Sequence, residues 1–194
     1  MDFVGSVQKL FLYYKKLGEK AMDQVEEPHL FVQANEDCNS IAIIVQHLYG
    51  NMVSRWTDVL STDGEKPWRN RDQEFEKIIE SKEELLQLWN NGWECLFGAL
   101  DSLKPEDLDT VIYIRNEGQT VQEAILRQLA HYPYHIGQMV HIAKDLKSSS
   151  WNSLSIARHA SKQYNDEKFS QEKGARNFME GNMDRVNNKK SKRF

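Results

Sequence analysis

Four stretches of the chain repeat apolar residues at helical spacing. Phe3, Val7, Leu10, Phe11, Tyr14, Leu17 and Ala21 predict a first helix over about residues 2–24, ended by Pro28 and a polar stretch. Ile41, Ile44, Val45, Leu48, Met52, Trp56 and Val59 share one broad face of a second helix, with Asp37 or Asn39 as its cap and Ser61-Thr-Asp-Gly64 as its stop. Ser81-Lys-Glu-Glu84 has the form of a capping box and opens a third helix through about Leu100, carrying Leu85, Leu88, Trp89, Leu96 and Phe97. After Pro105, residues 111–121 read as two short strands around Asn116-Glu-Gly118. Thr120 with Glu123 forms another box. The fourth helix then runs to about Leu146, with Val121, Ile125, Leu129, Tyr132, Ile136, Val140 and Ala143 on its core face.

Helices of about 20–28 residues with so little strand predict an all-α fold, a four-helix bundle with a small hairpin before the fourth helix. A long crossover, residues 61–80, joins the second and third helices. Connections of that length are more often functional than idle, although a bundle also needs one simply to carry the chain from end to end. The bundle domain is expected over 1–165, with Trp151, Leu154 and Ile156 still packed on it. Residues 166–194 read as a polar tail, partly helical or disordered.

Composition narrows the class. With 40% hydrophobic residues a real core is possible, and a formal net charge of −4 argues against nucleic acid as partner. The basic run Lys189-Lys-Ser-Lys-Arg-Phe194 reads as solvated tail. No apolar run approaches the roughly 18 residues of a membrane span, and the N-terminal residues lack the order of a signal peptide. Cys38 and Cys95 are most simply reduced thiols. A cytoplasmic protein, with no membrane partner, is the expectation.

The chemistry concentrates in Gln128-Leu-Ala-His131-Tyr-Pro-Tyr-His135-Ile-Gly-Gln138. Imidazoles at i and i+4 have Cβ atoms about 5–6 Å apart on one helix face, close enough to share an ion. They fall at the edge of the fourth helix's apolar face. Pro133 sits between them; the apolar period runs through it without a change of phase, so a kink is expected rather than a break. Two ligands do not make a site. On the second helix, Ser40, His47, Asn51, Ser54 and Asp58 form a narrow polar stripe, which periodicity alone assigns to solvent. His141 points about 80–120° away from the pair at 100° per residue and reads as a surface residue; His29 and His159 carry no spacing signal.

Gln46-His-Leu-Tyr-Gly-Asn51, together with His131-x-x-x-His135-Ile-Gly-Gln138, resembles the DinB-like superfamily. Asp63-Gly-Glu-Lys-Pro-Trp-Arg-Asn-Arg-Asp-Gln-Glu-Phe75 and Trp151-Asn-Ser-Leu-Ser-Ile156 resemble one bacterial branch of it, related to metal-dependent thiol S-transferases. The likeness spans about residues 2–165; Pro133 departs from the family pattern. It implies up-down-down-up connectivity, a homodimer, and a divalent metal, commonly zinc or nickel, on His47, His131 and His135. It also implies a small-molecule substrate: an electrophile met by a low-molecular-weight thiol such as bacillithiol, or a bond hydrolysed by metal-bound water. A non-catalytic dimeric binding protein is the reading from another class. Arg69 and Arg71, near Trp68, are candidates to meet an anionic cofactor or else to pair with Asp72 or Glu74. Asn51 is a candidate to orient a ligand or to serve as a polar bundle residue.

Overall fold

Each long helix begins where a short polar side chain occupies its free N–H groups. Asp2 accepts from the Gly5 amide at 2.8 Å at the head of α1 (Phe3–Met22). Ser40, rather than Asp37 or Asn39, caps α2 (Ile41–Trp56), accepting from Ile43 at 3.2 Å. Ser81 caps α3 (Lys82–Ser102) through the Glu84 amide, but the Glu84 carboxylate turns to the Glu80 amide instead of closing the box. Thr120 and Glu123 form both halves of the box that opens α4 (Val121–Lys147). A short α5 (Ser161–Phe169) follows.

The computed structural model describes residues 2–176, so the expected disorder and the basic run at 189–194 lie outside the described residues. The described chain is mostly helical with one small hairpin, in keeping with the all-α expectation. Helix α1 packs on α4 and α2 on α3, with further contacts between α2 and α4 and between α1 and α3. At their centre Phe11, Trp93 and Tyr132 meet with ring centroids 5.7–6.3 Å apart. Among the described residues no helix is long and apolar enough to cross a membrane. Trp151 and Leu154 do pack against the core, whereas Ile156 is exposed. The tail boundary expected at residue 165 falls inside α5.

Two expectations are corrected by backbone geometry. Helix α2 is shorter than its apolar pattern suggests. It stops at Trp56 because Asp58 turns left-handed, with φ 50°, and the Asp58 carbonyl then takes the amides of Ser61 and Thr62. The hairpin pairs β1 (Val111–Ile114) with β2 (Glu117–Thr120) and turns at Arg115 and Asn116, with φ 57° and 63°. Two consecutive left-handed residues match the right-handed twist of the strands, and asparagine tolerates that region well. Gly118 lies in β2, opposite Tyr113, and not in the turn.

The polar stripe on α2 is not a solvated face. Ser40, His47, Asn51 and Ser54 are all buried; Asp58 alone is exposed. The connection to α3, which contains a 3-10 turn at Asp72–Phe75, lies across that face. Gln46 donates to the carbonyls of Gln73 and Glu76 at 2.8 and 3.1 Å. Ser54 donates to the Gly64 carbonyl at 2.7 Å and accepts from the Lys66 amide at 3.2 Å. A loop carries backbone groups that must find partners once buried, and Gln46 and the stripe's Ser54 supply some of them.

Candidate metal centre

His47 projects from the middle of α2 and is 5% exposed; His131 and His135 project from successive turns of α4. Helix α4 is one element from end to end despite Pro133, so the two residues keep their shared face. Their Nε2 atoms lie 3.1 Å apart, and Nε2 of His47 lies 3.4 Å from that of His131. One nitrogen from each of the three rings falls within 4.8 Å of the others, an arrangement that can hold a metal ion.

The second nitrogen of each ring fixes what the first can do. Nδ1 of His47 is 2.9 Å from the Glu74 carboxylate, Nδ1 of His131 is 3.1 Å from Oε1 of Gln128, and Nδ1 of His135 is 2.9 Å from Oε1 of Gln138. All three neighbours are acceptors, so a neutral ring places its single proton on Nδ1 and leaves a lone pair on Nε2. Three lone pairs then converge, with no hydrogen between them. A cation at their meeting point removes the repulsion, and outward bonds of this kind are what orient histidine ligands at metal sites. The donor set therefore fits a divalent ion.

Electrostatics favour the neutral rings of His131 and His135. Burial, followed by the charges possible on His135 and His47 and by Arg127 and Arg55, pushes His131 down to about 3. Burial also lowers His135; the bond to Gln138 opposes that shift and His47 adds to it. Glu74 is held below the usual carboxylate range. Burial raises it, but the bonds from His47 and Arg69 and the charge of Arg69 outweigh that effect. Glu74 is thus an anion beside His47, bound by the guanidinium of Arg69 at 2.7 and 2.9 Å.

Sequence candidates separate once placed. The side chain of Arg69 is 2% exposed and its guanidinium is taken by Glu74 and Glu65, so intramolecular pairing is the alternative realised. Arg71 is exposed, its guanidinium 5.0 Å over the Phe75 ring, which itself stacks on His47. Asn51 accepts from the Tyr132 hydroxyl at 3.1 Å, and Trp56 donates to that hydroxyl at 3.0 Å. Asn51 therefore holds the core aromatic residue next to His131 in the chain. Cys95 is half-buried beside Thr57 and burial pushes its thiol up, which does not suit a nucleophile; Cys38 is an exposed free thiol. His141 and His159 are exposed, and His29 lies in the 3-10 turn Glu27–Phe31.

In the sequence Glu74 stands only as a candidate partner for Arg69 or Arg71, and Gln128 and Gln138 only as the ends of the histidine stretch; none of them is legible there as a partner of a histidine. The two glutamines stand three residues from their histidines on the same helix, a spacing at which side chains meet. Glu74 gave no such signal, since it reaches His47 across 27 positions.

One family description matches the chain, a protein of unknown function (DUF1572), over residues 1–160. Neither the curated proteins nor the solved structures contain a match.

Proposed function

We propose that this chain, which belongs to the DUF1572 family, is a DinB-like metal-dependent enzyme that transfers a low-molecular-weight thiol to a small electrophile. The observation that carries the reading is the convergence of three Nε2 atoms whose partner nitrogens all face oxygen acceptors. His47, His131 and His135 would hold the ion, with zinc or nickel suited to an all-imidazole set. When bound, such an ion supplies Lewis acidity and keeps a coordinated thiol ionised near neutral pH. Three protein ligands leave a position open, the arrangement of catalytic rather than structural centres.

The chain's own groups supply the rest. Glu74, Gln128 and Gln138 hold the rings in one tautomer. Phe75 stacks on His47 with centroids 4.9 Å apart, and the exposed Tyr134 lies edge-on to His135 at 5.0 Å, so aromatic faces flank the triad. Arg71, above Phe75, would meet an anionic group of a thiol such as bacillithiol in this reading. Glu74 is committed to His47 and Arg69, which disfavours it as a free general base and favours thiol transfer over activation of water. The long connection between α2 and α3 supports the up-down-down-up arrangement, and a homodimer belongs to the same reading.

Protein reconstituted with zinc or nickel is to be mixed with a small thiol panel and an arylating electrophile. Thioether formation that needs both metal and thiol, and is lost in His135→Ala, is expected. Electrophile consumption at the same rate without thiol would point to hydrolysis, and no turnover in fully loaded protein would point to a binding module.

A further inference from the structure

Glu65 lies away from the triad, yet a single one of its oxygens meets three guanidiniums. Oε2 is 3.0 Å from Arg55, 3.2 Å from Arg69 and 3.2 Å from Arg115. Arg55 belongs to the last turn of α2, Arg69 to the crossover and Arg115 to the hairpin turn. The backbone around Glu65 is itself pinned. Asp63 accepts from the amides of Glu65, Arg115 and Asn116 at 2.7, 2.9 and 3.0 Å, and the Gly64 amide donates to the Tyr113 carbonyl at 2.8 Å.

The guanidinium of Arg69 faces two ways. Nη1 points to Glu65, while Nε and Nη2 grip both oxygens of Glu74, one of which sits on Nδ1 of His47. Planarity makes these directions interdependent: fixing one edge of the fork fixes the other. Arg55 and Arg69 are like charges gathered around one carboxylate. Removing that carboxylate's charge leaves them repelling each other, with the grip of Arg69 on Glu74 as the contact free to give.

We infer that Glu65 is a positioning residue for the metal centre, acting through Arg69 and Glu74 to hold the His47 ring, and thereby coupling the β1–β2 turn to the site. This rests on the proposed metal reading and deepens it. The side-chain partners of Glu65 are Arg55, Arg69 and Arg115, none of them a ligand ring, so its effect travels through the two intervening side chains.

Co(II) is the probe, since its visible absorption reports ligand geometry and its affinity can be titrated in the full chain. Glu65→Gln keeps the shape and removes the charge; it is expected to weaken Co(II) binding about fivefold, less than the 10–100-fold typical of losing a ligand's direct partner, and to alter the absorption bands. In a Glu74→Gln background the same change is expected to alter affinity by less than about twofold, because coupled residues are not additive. Arg69→Lys, which keeps the charge but cannot span both carboxylates, is expected to match Glu65→Gln and serves if that variant does not fold. Wild-type protein that binds no Co(II) would remove the metal reading and this inference together. Wild type that binds, with Glu65→Gln or Arg69→Lys unchanged in affinity and spectrum, would overturn the relay alone. An equal loss from Glu65→Gln with and without Glu74 would overturn it too, by showing an effect that bypasses Glu74.

Discussion

At the scale of single residues, the site depends on which nitrogen of each histidine carries the proton. Replacing Gln138 by leucine removes the acceptor that keeps the His135 proton on Nδ1. Zinc affinity is expected to fall about 10–100-fold with little change in fold, as read by competition with a chelating dye. His131 also makes stability depend on pH. Its folded value, about 3, lies below the ordinary value of 6.5. Between the two, the unfolded chain binds the extra proton, so stability rises with pH through this window and falls as pH drops through it. Metal-free protein is therefore expected to lose urea resistance from pH 7 to 5, and His131→Gln to lose less. An identical loss in both would assign the effect elsewhere. The His131–His135 pair was legible in the sequence because helical spacing alone brings it together. His47 was not, because its exposure is decided by a loop that periodicity cannot place; only the resemblance pointed to it.

At the scale of elements, the connection between α2 and α3 completes the centre, and Gly50 is a point where Glu74 lies close against α2. A Cβ at that position would sit 2.2 Å from Oε1 of Glu74 and 2.6 Å from its Cδ. Gly50→Ala should favour the helix by about 1 kcal/mol on propensity, yet it must displace a buried carboxylate held by Arg69 and His47. The expected result is weaker zinc binding by about tenfold, of the order of losing an outer partner, with no gain in thermal stability. Unchanged affinity in Gly50→Ala would mean that Glu74 does not matter to the ligands. The polar stripe on α2 shows why the connection was unreadable in advance. A row of Ser40, His47, Asn51 and Ser54 looks the same whether it faces water or the buried backbone of a loop. Only tertiary contacts tell them apart. The capping box at Thr120, by contrast, is a local device, and it is realised as the sequence implies.

For the molecule as a whole, the packed unit is the set of four long helices with the hairpin and the connection, and α5 contributes no buried residue to it. The family match ends at residue 160, just before α5. Because α5 buries no residue, a chain truncated after residue 160 is expected to keep its zinc affinity within about twofold and its Tm within about 2 °C, surface positions usually contributing within about 0.5 kcal/mol. A large fall in either would show that the removed segment braces the core. The helical class was legible from apolar spacing, because each core face repeats over several turns. The end of α2 was not. A left-handed Asp58 stops the helix while Val59, beyond the stop, stays buried.

The most direct test is the metal content of purified, zinc-reconstituted protein by elemental analysis, alongside His47→Ala and His135→Ala variants verified as folded. About one ion per chain in wild type and loss of it in both variants is the expected result, since two imidazoles alone make a weak site. Wild-type protein that stays empty after reconstitution with zinc and with nickel would contradict a metal centre at His47, His131 and His135.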